Sequence, residues 1–563
     1  MKKTLGLTLT AALALAVTGC GKKMNQFKSD YFTTNPNPLE VVGTQVPATV
    51  TASVPAKFFV KNAVVQVVPT LVYGNYNSVC APSTFQGEKV RGNNTVVSYD
   101  RGGNVTIPVN FPYTPEMQKS ELYLAFTVTQ GKKQYALPRV KVADGVIATA
   151  ALASVASVKP AIAPDKFQRI INEKYSADIR FLINQAVIRP DQLKTAQMRS
   201  FNKDLAEVHA DTSRVIEGIN ISSYASPDGS YAFNEELAQR REANTTNYVE
   251  GQLKKDKITE FGELTAQFTP EDWEGFQKLV AASNIQDKEL ILSVLSMYKD
   301  PEQREREIRN LANVFEALAD EILPQLRYSR ITASVNVIGK SDAEINHLFD
   351  TDPSKLSDDE LLYAATLTDN LARKKAIYES AVKLFPNDFR GYNNLGAVQF
   401  EQGDFAAAKA SFAQAEKRAP RAAEVQMNEG LIQLLNHDYA AAERSFGNAS
   451  GLSDLNDALG VYYLKKGEPA AAVKAFGASK TNNAALAQIL TKDYSKAKMT
   501  LAAIPAPDAT TYYLMAVLGA RTNNSQIVTS SLRQAIKLDK SYASMAANDL
   551  EFAKFNLSGV LNN

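Results

Sequence analysis

Cysteine, histidine and tryptophan are scarce in this 563-residue chain, with two, three and one copies respectively. Two thiols, Cys20 and Cys80, cannot make the disulfide framework that staples small secreted domains. His209, His347 and His437 stand in three unrelated contexts, so no metal-ligand spacing exists. There is no Gly-x-Ser-x-Gly elbow, no phosphate loop and no Gly-x-Gly-x-x-Gly turn. The sequence therefore names no catalytic residue, metal or cofactor, and an enzyme is not expected. An excess of one charge is missing as well. The formal net charge is +2, and without Lys2 and Lys3 the remainder is close to neutral, which gives no footprint for nucleic acid. What remains, 45% hydrophobic and 22% charged residues over 563 positions, is the composition of several globular domains.

The first residues carry their own pattern: Lys2 and Lys3, an apolar run from Leu5 to Val17, and small residues before a cysteine in "VTGC". This resembles a bacterial lipoprotein signal, which implies a signal peptide over 1–19, cleavage before Cys20 and lipid on its sulfur. Several acyl chains, at about 0.8 kcal/mol per buried methylene, would hold the chain on a membrane. No later stretch approaches the roughly 18 apolar residues of a membrane span. "GKK" follows the cysteine, where the acidic cluster resembling a surface-export signal in some Bacteroidota-type lipoproteins is missing. An outer membrane anchor facing the periplasm is thus expected, with surface display as the alternative. Cys80, with a lipidated Cys20, reads as a lone thiol.

Residues 20–40 are polar and proline-bearing and read as a tether. Over 41–145, short β-branched and aromatic runs ("ATVTASV", "AVVQVVPTLVYG", "NVTIPVNF", "ELYLAFTVT") alternate with turns such as "DRGGN" and "QGKK", the pattern of an antiparallel β-sandwich. An alanine-, valine- and proline-rich stretch over 146–165 reads as a linker.

Next come a strand at "ADIRFLI", a helix through "NKDLAEV", a strand at "VIEGINISSYA", a helix from Tyr231, and a late strand at "RYSRITASVNVIG". This β-α-β-α-β order, with Gly229, Asn234, Leu237, Arg240 and Arg241 at matching spacing, resembles the C-terminal domain of the outer membrane protein A family. The α/β domain is expected over 166–345, including a long helical insertion that contains Trp273 and is similar to one in Bacteroidota members with a "YASP(D/E)G" turn. The resemblance implies that Arg241 receives a carboxylate of the diaminopimelate side chain of peptidoglycan, a task suited to a planar fork of donors. It also implies departures: Ser226 stands where the family has the aspartate that meets the ligand's ammonium, and Tyr224 where it has a histidine. Ser226, Asp228, Asn234 and Arg241 are the candidate ligand residues. Asp228 either replaces the missing carboxylate by bending back towards Arg241 or is a turn residue paired with a neighbouring cation. Arg241 either binds ligand or fixes its helix to the sheet.

From Leu356 a 34-residue period takes over, visible in the pairs Pro386 and Pro420, Gly396 and Gly430, Phe412 and Phe446. "PNDFRGYNNLGAVQFEQGDFAAAKASFAQAEKRAP" is the best copy, and "YAAAERSF", "PAAAVKAF" and "YSKAKMTL" repeat its second-helix signature. This is similar to tetratricopeptide repeats, expected over 355–555 as an all-α superhelix whose groove usually receives a protein segment. Tyr392, Asn393, Asn394 and Tyr462 are candidates to face that groove, with Asn393 selected as the contact to an unknown protein partner. The whole is expected to be a lipid-anchored envelope scaffold with a protein partner at the repeats and peptidoglycan at the central domain. Its rival is a surface-displayed adhesin or assembly factor whose central domain has lost the wall.

Overall fold

A computed structural model describes residues 23–561 apart from 287 and 311; the signal segment and Cys20 fall outside the described residues. The chain forms two compact units. One combines the residues up to Asp165 with those from Thr368 onward, and the other is Lys166–Leu367, inserted between them.

The first unit begins with β1 (Phe32–Asn35), β2 (Gln45–Val54), β3 (Ala63–Tyr73), β4 (Tyr76–Val79), β5 (Ser83–Gly87), β6 (Thr95–Val97), β7 (Gly103–Pro112), β8 (Ser120–Gln130) and β9 (Lys133–Gly145). They make two sheets, β1-β2-β7 and β6-β5-β3-β8-β9, with β4 paired to β3. Strict alternation drives this. In β7, Val105, Ile107, Val109 and Phe111 are buried, and in β8, Leu122, Leu124, Phe126 and Val128 are, so one face of each sheet supplies the core. The expected tether over 20–40 is corrected in its described part. Residues 32–35 pair with β2, Leu39 is buried, and Phe27 stacks on Phe126 at 4.4 Å between ring centroids. Its apolar residues are spaced irregularly and show no period, yet Met24, Phe27 and Leu39 are buried in the sandwich core and Tyr31 and Phe32 pack against it.

The inserted unit contains β10 (Ile170–Arg180), α1 (Ala196–Ala210), β11 (Arg214–Tyr224), α2 (Tyr231–Lys255), β12 (Glu263–Thr269), α3 (Trp273–Ala282), α4 (Lys288–Met297), α5 (Pro301–Asn310), α6 (Ala312–Glu321), β13 (Tyr328–Ile338), α7 (Asp342–Thr351) and α8 (Asp358–Ala364). Its sheet order is β10-β13-β11-β12, with β11 and β12 parallel and the other pairs antiparallel. β12 is unanticipated. It is a seven-residue edge strand exposed along most of its length; Leu264, Ala266 and Phe268 alternate with polar residues, but of the three only Leu264 packs against the core. The helical insertion packs on itself through Phe276, Val280, Ile291, Leu295, Leu318 and Leu323. The unit also runs past the expected boundary at 345. It keeps α7 and α8 up to Leu367, where the Lys340 Nζ to Glu360 pair of 2.8 Å ties α8 to the end of β13.

Helix pairs then follow in the first unit: α9 (Leu371–Leu384), α10 (Phe389–Glu401), α11 (Phe405–Arg418), α12 (Ala423–Leu435), α13 (Tyr439–Asn448), α14 (Leu455–Lys466), α15 (Pro469–Phe476), α16 (Asn482–Leu490), α17 (Tyr494–Ala502), α18 (Ala509–Arg521), α19 (Ser525–Leu538), α20 (Ser541–Asn548) and α21 (Ser558–Leu561). The array is a run of antiparallel helix hairpins, and it starts at α9 rather than 355. Close approach inside each hairpin explains its signature residues. A Cβ at Gly396 would lie 2.6 Å from the Phe412 ring, one at Gly430 2.5 Å from Phe446, and one at Gly460 2.4 Å from Phe476. The next hairpin carries Ala485 and Leu501 at the same two places, a larger small residue facing a smaller large one.

Candidate functional site

The segment 146–165, expected to be a bare linker, starts on the sandwich, where the Val146 and Ile147 N–H groups donate to the Gln118 and Leu39 carbonyls and Ala148 and Ala150 are buried, and from Ala153 onward it packs into the repeat array. A short 3-10 helix, Thr149–Leu152, makes the passage: the Thr149 hydroxyl donates to Glu551 Oε1 at 2.6 Å, and Arg521 binds the same carboxylate through Nε and Nη2 at 2.8 and 2.6 Å. Beyond it the backbone is gripped by asparagine side chains. Asn483 on α16 accepts from the Ser154 N–H and donates to the Ser154 carbonyl, both at 2.9 Å. Asn428 on α12 accepts from the Ala161 N–H and donates to the Ala161 carbonyl, both at 2.8 Å. On α10, Asn394 does the same for Ala163, at 2.8 and 2.9 Å. A primary amide offers one acceptor and two donors, so each asparagine reads one residue's main chain as a neighbouring strand would.

Asn393, the residue selected as a contact to a foreign partner, is fully buried. It donates to the Ala161 carbonyl at 3.0 Å and to Asn394 Oδ1 at 3.1 Å, and accepts from Asn428 at 3.0 Å. Its partner in this state is the chain's own linker, because residues 153–163 occupy the site. Asn394 and Asn428 occupy equivalent places, two residues before Gly396 and Gly430, and Asn483 stands two before Ala485. That recurrence was the available signal. Tyr392 lies under Arg418, 3.9 Å from guanidinium carbon to ring centroid, and Tyr462 is buried near Phe446, so neither faces an open groove. His437 occupies the turn after α12 with φ of 61°.

Side chains of the segment complete the fit. Ala153, Val155, Val158 and Ala161 are buried in one core with Phe400, Met427, Leu431 and Val461 of the array. Ala156 and Lys159 are exposed between them.

In the inserted unit, the four candidate ligand residues separate into three arrangements. Arg241 is fully buried. Its Nη1 donates to the Tyr224 carbonyl at 2.8 Å, its Nε to Gln185 at 3.0 Å and its Nη2 to Leu182 at 3.2 Å, and its guanidinium carbon lies 5.0 Å from the Phe181 ring centroid. Burial, and secondarily the nearby Arg327, push its pKa down to about 10, opposed by Asp228. The arginine therefore fastens α2 to β11 and to the loop after β10. Asp228 pairs with Arg327, which the sequence did not single out, at 2.8 Å. Ser226 joins the pair, donating to Asp228 Oδ1 at 2.7 Å and accepting from Arg327 Nε at 3.1 Å. Of the two readings of Asp228, this geometry gives the carboxylate a neighbouring cation. Asn234 donates to the Gly229 carbonyl at 3.0 Å and approaches Glu271 at 3.4 Å. Glu271, another residue not anticipated, is buried; that burial raises its pKa despite hydrogen bonds from Trp273 and Asn234.

Among the described residues no cluster of metal-ligating side chains occurs, and no helix is long and apolar enough to cross a membrane. No protein-family model matches the chain, and no curated protein does. The solved structures to which it is similar include PilF of Pseudomonas aeruginosa, 18% identical over 37% of this chain and 99% of that one with a TM-score of 0.28. A tetratricopeptide repeat protein from Parabacteroides merdae is 12% identical over 37% and 91%, TM-score 0.30. YrrB, a repeat protein described as having an unusual peptide-binding site, is 17% identical over 37% and 99%, TM-score 0.20.

Proposed function

We propose that the chain is a lipid-anchored scaffold of the cell envelope, held in the outer membrane through Cys20 and facing the periplasm. Its repeat array holds a protein segment in extended form, and its inserted α/β unit, of the outer membrane protein A C-terminal type, makes the contact to peptidoglycan. The observation that carries the reading is the asparagine ladder, because Asn394, Asn428 and Asn483 are spaced to read main-chain N–H and C=O groups irrespective of side chain. Recognition and not catalysis is what such a surface does. Incorporation of labelled lipid at Cys20, lost in Cys20→Ser, tests the anchor; an unlabelled wild type would remove it. Sedimentation with diaminopimelate-type sacculi tests the wall contact, which is absent if the protein stays in the supernatant.

A second reading, an adhesin or assembly factor displayed on the surface whose inserted unit no longer binds the wall, draws on the burial of Arg241 and the closed Asp228–Arg327 pair. Protease shaving of intact cells separates the two, since only a surface-displayed chain is cut.

A further inference from the structure

We propose that residues 153–163 are the groove's resident ligand and keep it closed to any protein partner until they leave; the partner it then fits is an extended segment with small apolar residues at the strap's inward positions. This rests on reading the repeats as holders of a protein segment, and adds what that segment must look like and what it must displace.

The asparagines are already saturated. Asn483 spends its acceptor on the Ser154 N–H and its two donors on the Ser154 carbonyl and the Ser157 hydroxyl, the latter at 2.9 Å. Asn428 spends its donors on Ala161 and Asn393, and Asn394 is committed to Ala163. No second peptide can take these groups while the strap is seated, since a buried amide left without a partner is costly. Displacement is therefore required for binding.

The strap also defines its replacement. The inward residues Ala153, Val155, Val158, Ala161 and Ala163 never exceed valine in size. The main-chain N–H must be free at the places of Ser154, Ala161 and Ala163, which excludes proline there, whereas Pro160 is accommodated between them. The strap's hold is local: four asparagine amides on the main chain of Ser154, Ala161 and Ala163 and a few small side chains, with exposed residues between. Such a segment can open without unfolding the array.

The test uses a fluorescein-labelled synthetic peptide of residues 151–165 and fluorescence anisotropy with the full chain. Val155→Asp with Val158→Asp places carboxylates where the strap is buried and frees the groove with its asparagines intact. The peptide is expected to bind this variant about tenfold or more tighter than wild type, as it must when only an open minority binds, and to lose binding when Asn428→Ala is added. Equal binding to wild type and variant would overturn the closure while leaving the repeats as peptide holders. Binding to neither would overturn that reading as well. Hydrogen exchange of the unmodified protein decides the matter even if the variant does not fold. Amides of Ser154, Ala161 and Ala163 are expected to exchange faster than those of α10 and α12, and equal protection would mean that the strap never opens on its own.

Discussion

Replacing Arg241 by methionine separates a fastening role from a ligand-binding one. Methionine keeps an apolar stem over Phe181 but leaves the carbonyls of Leu182, Tyr224 and Gln185 without the donors they now have. Each buried acceptor left unmatched costs about 1–3 kcal/mol. Against this, the variant no longer buries a guanidinium, whose desolvation opposes folding. A net loss of about 3 kcal/mol remains, and for a unit of roughly 200 residues it lowers the melting temperature by about 6–12 °C. Scanning calorimetry of the full chain reads this as a downward shift of one transition only, because Leu182, Gln185, Tyr224 and Phe181, the partners of Arg241, all belong to the inserted unit. Arg240→Ala is the control. Its side chain is 54% exposed and 3.8 Å from Glu236, so its loss changes stability by less than about 0.5 kcal/mol. If Arg241→Met melted with the wild type, water would be satisfying those carbonyls, and Arg241 would be free to serve a ligand after all.

The remaining predictions concern the repeats. Gly430→Ala forces a methyl against the Phe446 ring and is expected to cost about 1–3 kcal/mol. Gly430→Ala with Phe446→Leu reproduces the Ala485 and Leu501 pairing and should recover most of it; urea denaturation that shows no recovery would refute the complementarity. Glu429 is buried, and burial with Glu416 nearby pushes its pKa up to about 7, Lys409 opposing. The folded state thus holds a proton between pH 4.5 and about 7 that the unfolded state has released, so stability falls as pH rises across that window and is flat above it. Glu429→Gln is expected to remove this slope and to stabilise the protein at pH 8 by up to about 3 kcal/mol; an unchanged pH profile would refute the assignment. Asn428→Ala unseats Ala161 and should raise exchange at Ala161 and Ala163 without melting α12, which amide exchange resolved by residue will show.

Periodicity explains how much of this was legible beforehand. The hairpins announced themselves because Gly396 and Phe412 recur 34 residues on as Gly430 and Phe446, and the sandwich because β7 and β8 alternate strictly. What went unread is short and exposed, lacks a period or depends on distant partners. β12 is an exposed edge. Phe27 and Leu39 are apolar residues in a polar stretch. Arg327 meets Ser226 across 101 positions, and nothing local marks it as the cation for Asp228. The segment 146–165 departs furthest from its composition, since a run of alanine, valine and proline has the composition of a spacer. Only the asparagines far downstream turn it into a ligand.

That separation bears on how the chain is made. Ser154 bonds Asn483 across 329 positions, and the whole inserted unit lies between them. At about 5–20 residues per second of synthesis, the strap waits roughly 16 s to a minute for α16 to exist. The sandwich and the inserted unit can each close in that interval, but residues 153–163 cannot, because everything that covers them is encoded later. An alanine- and valine-rich stretch is thus left bare on every nascent molecule, which makes it the natural foothold for a chaperone and the place where assembly of this protein would first go wrong.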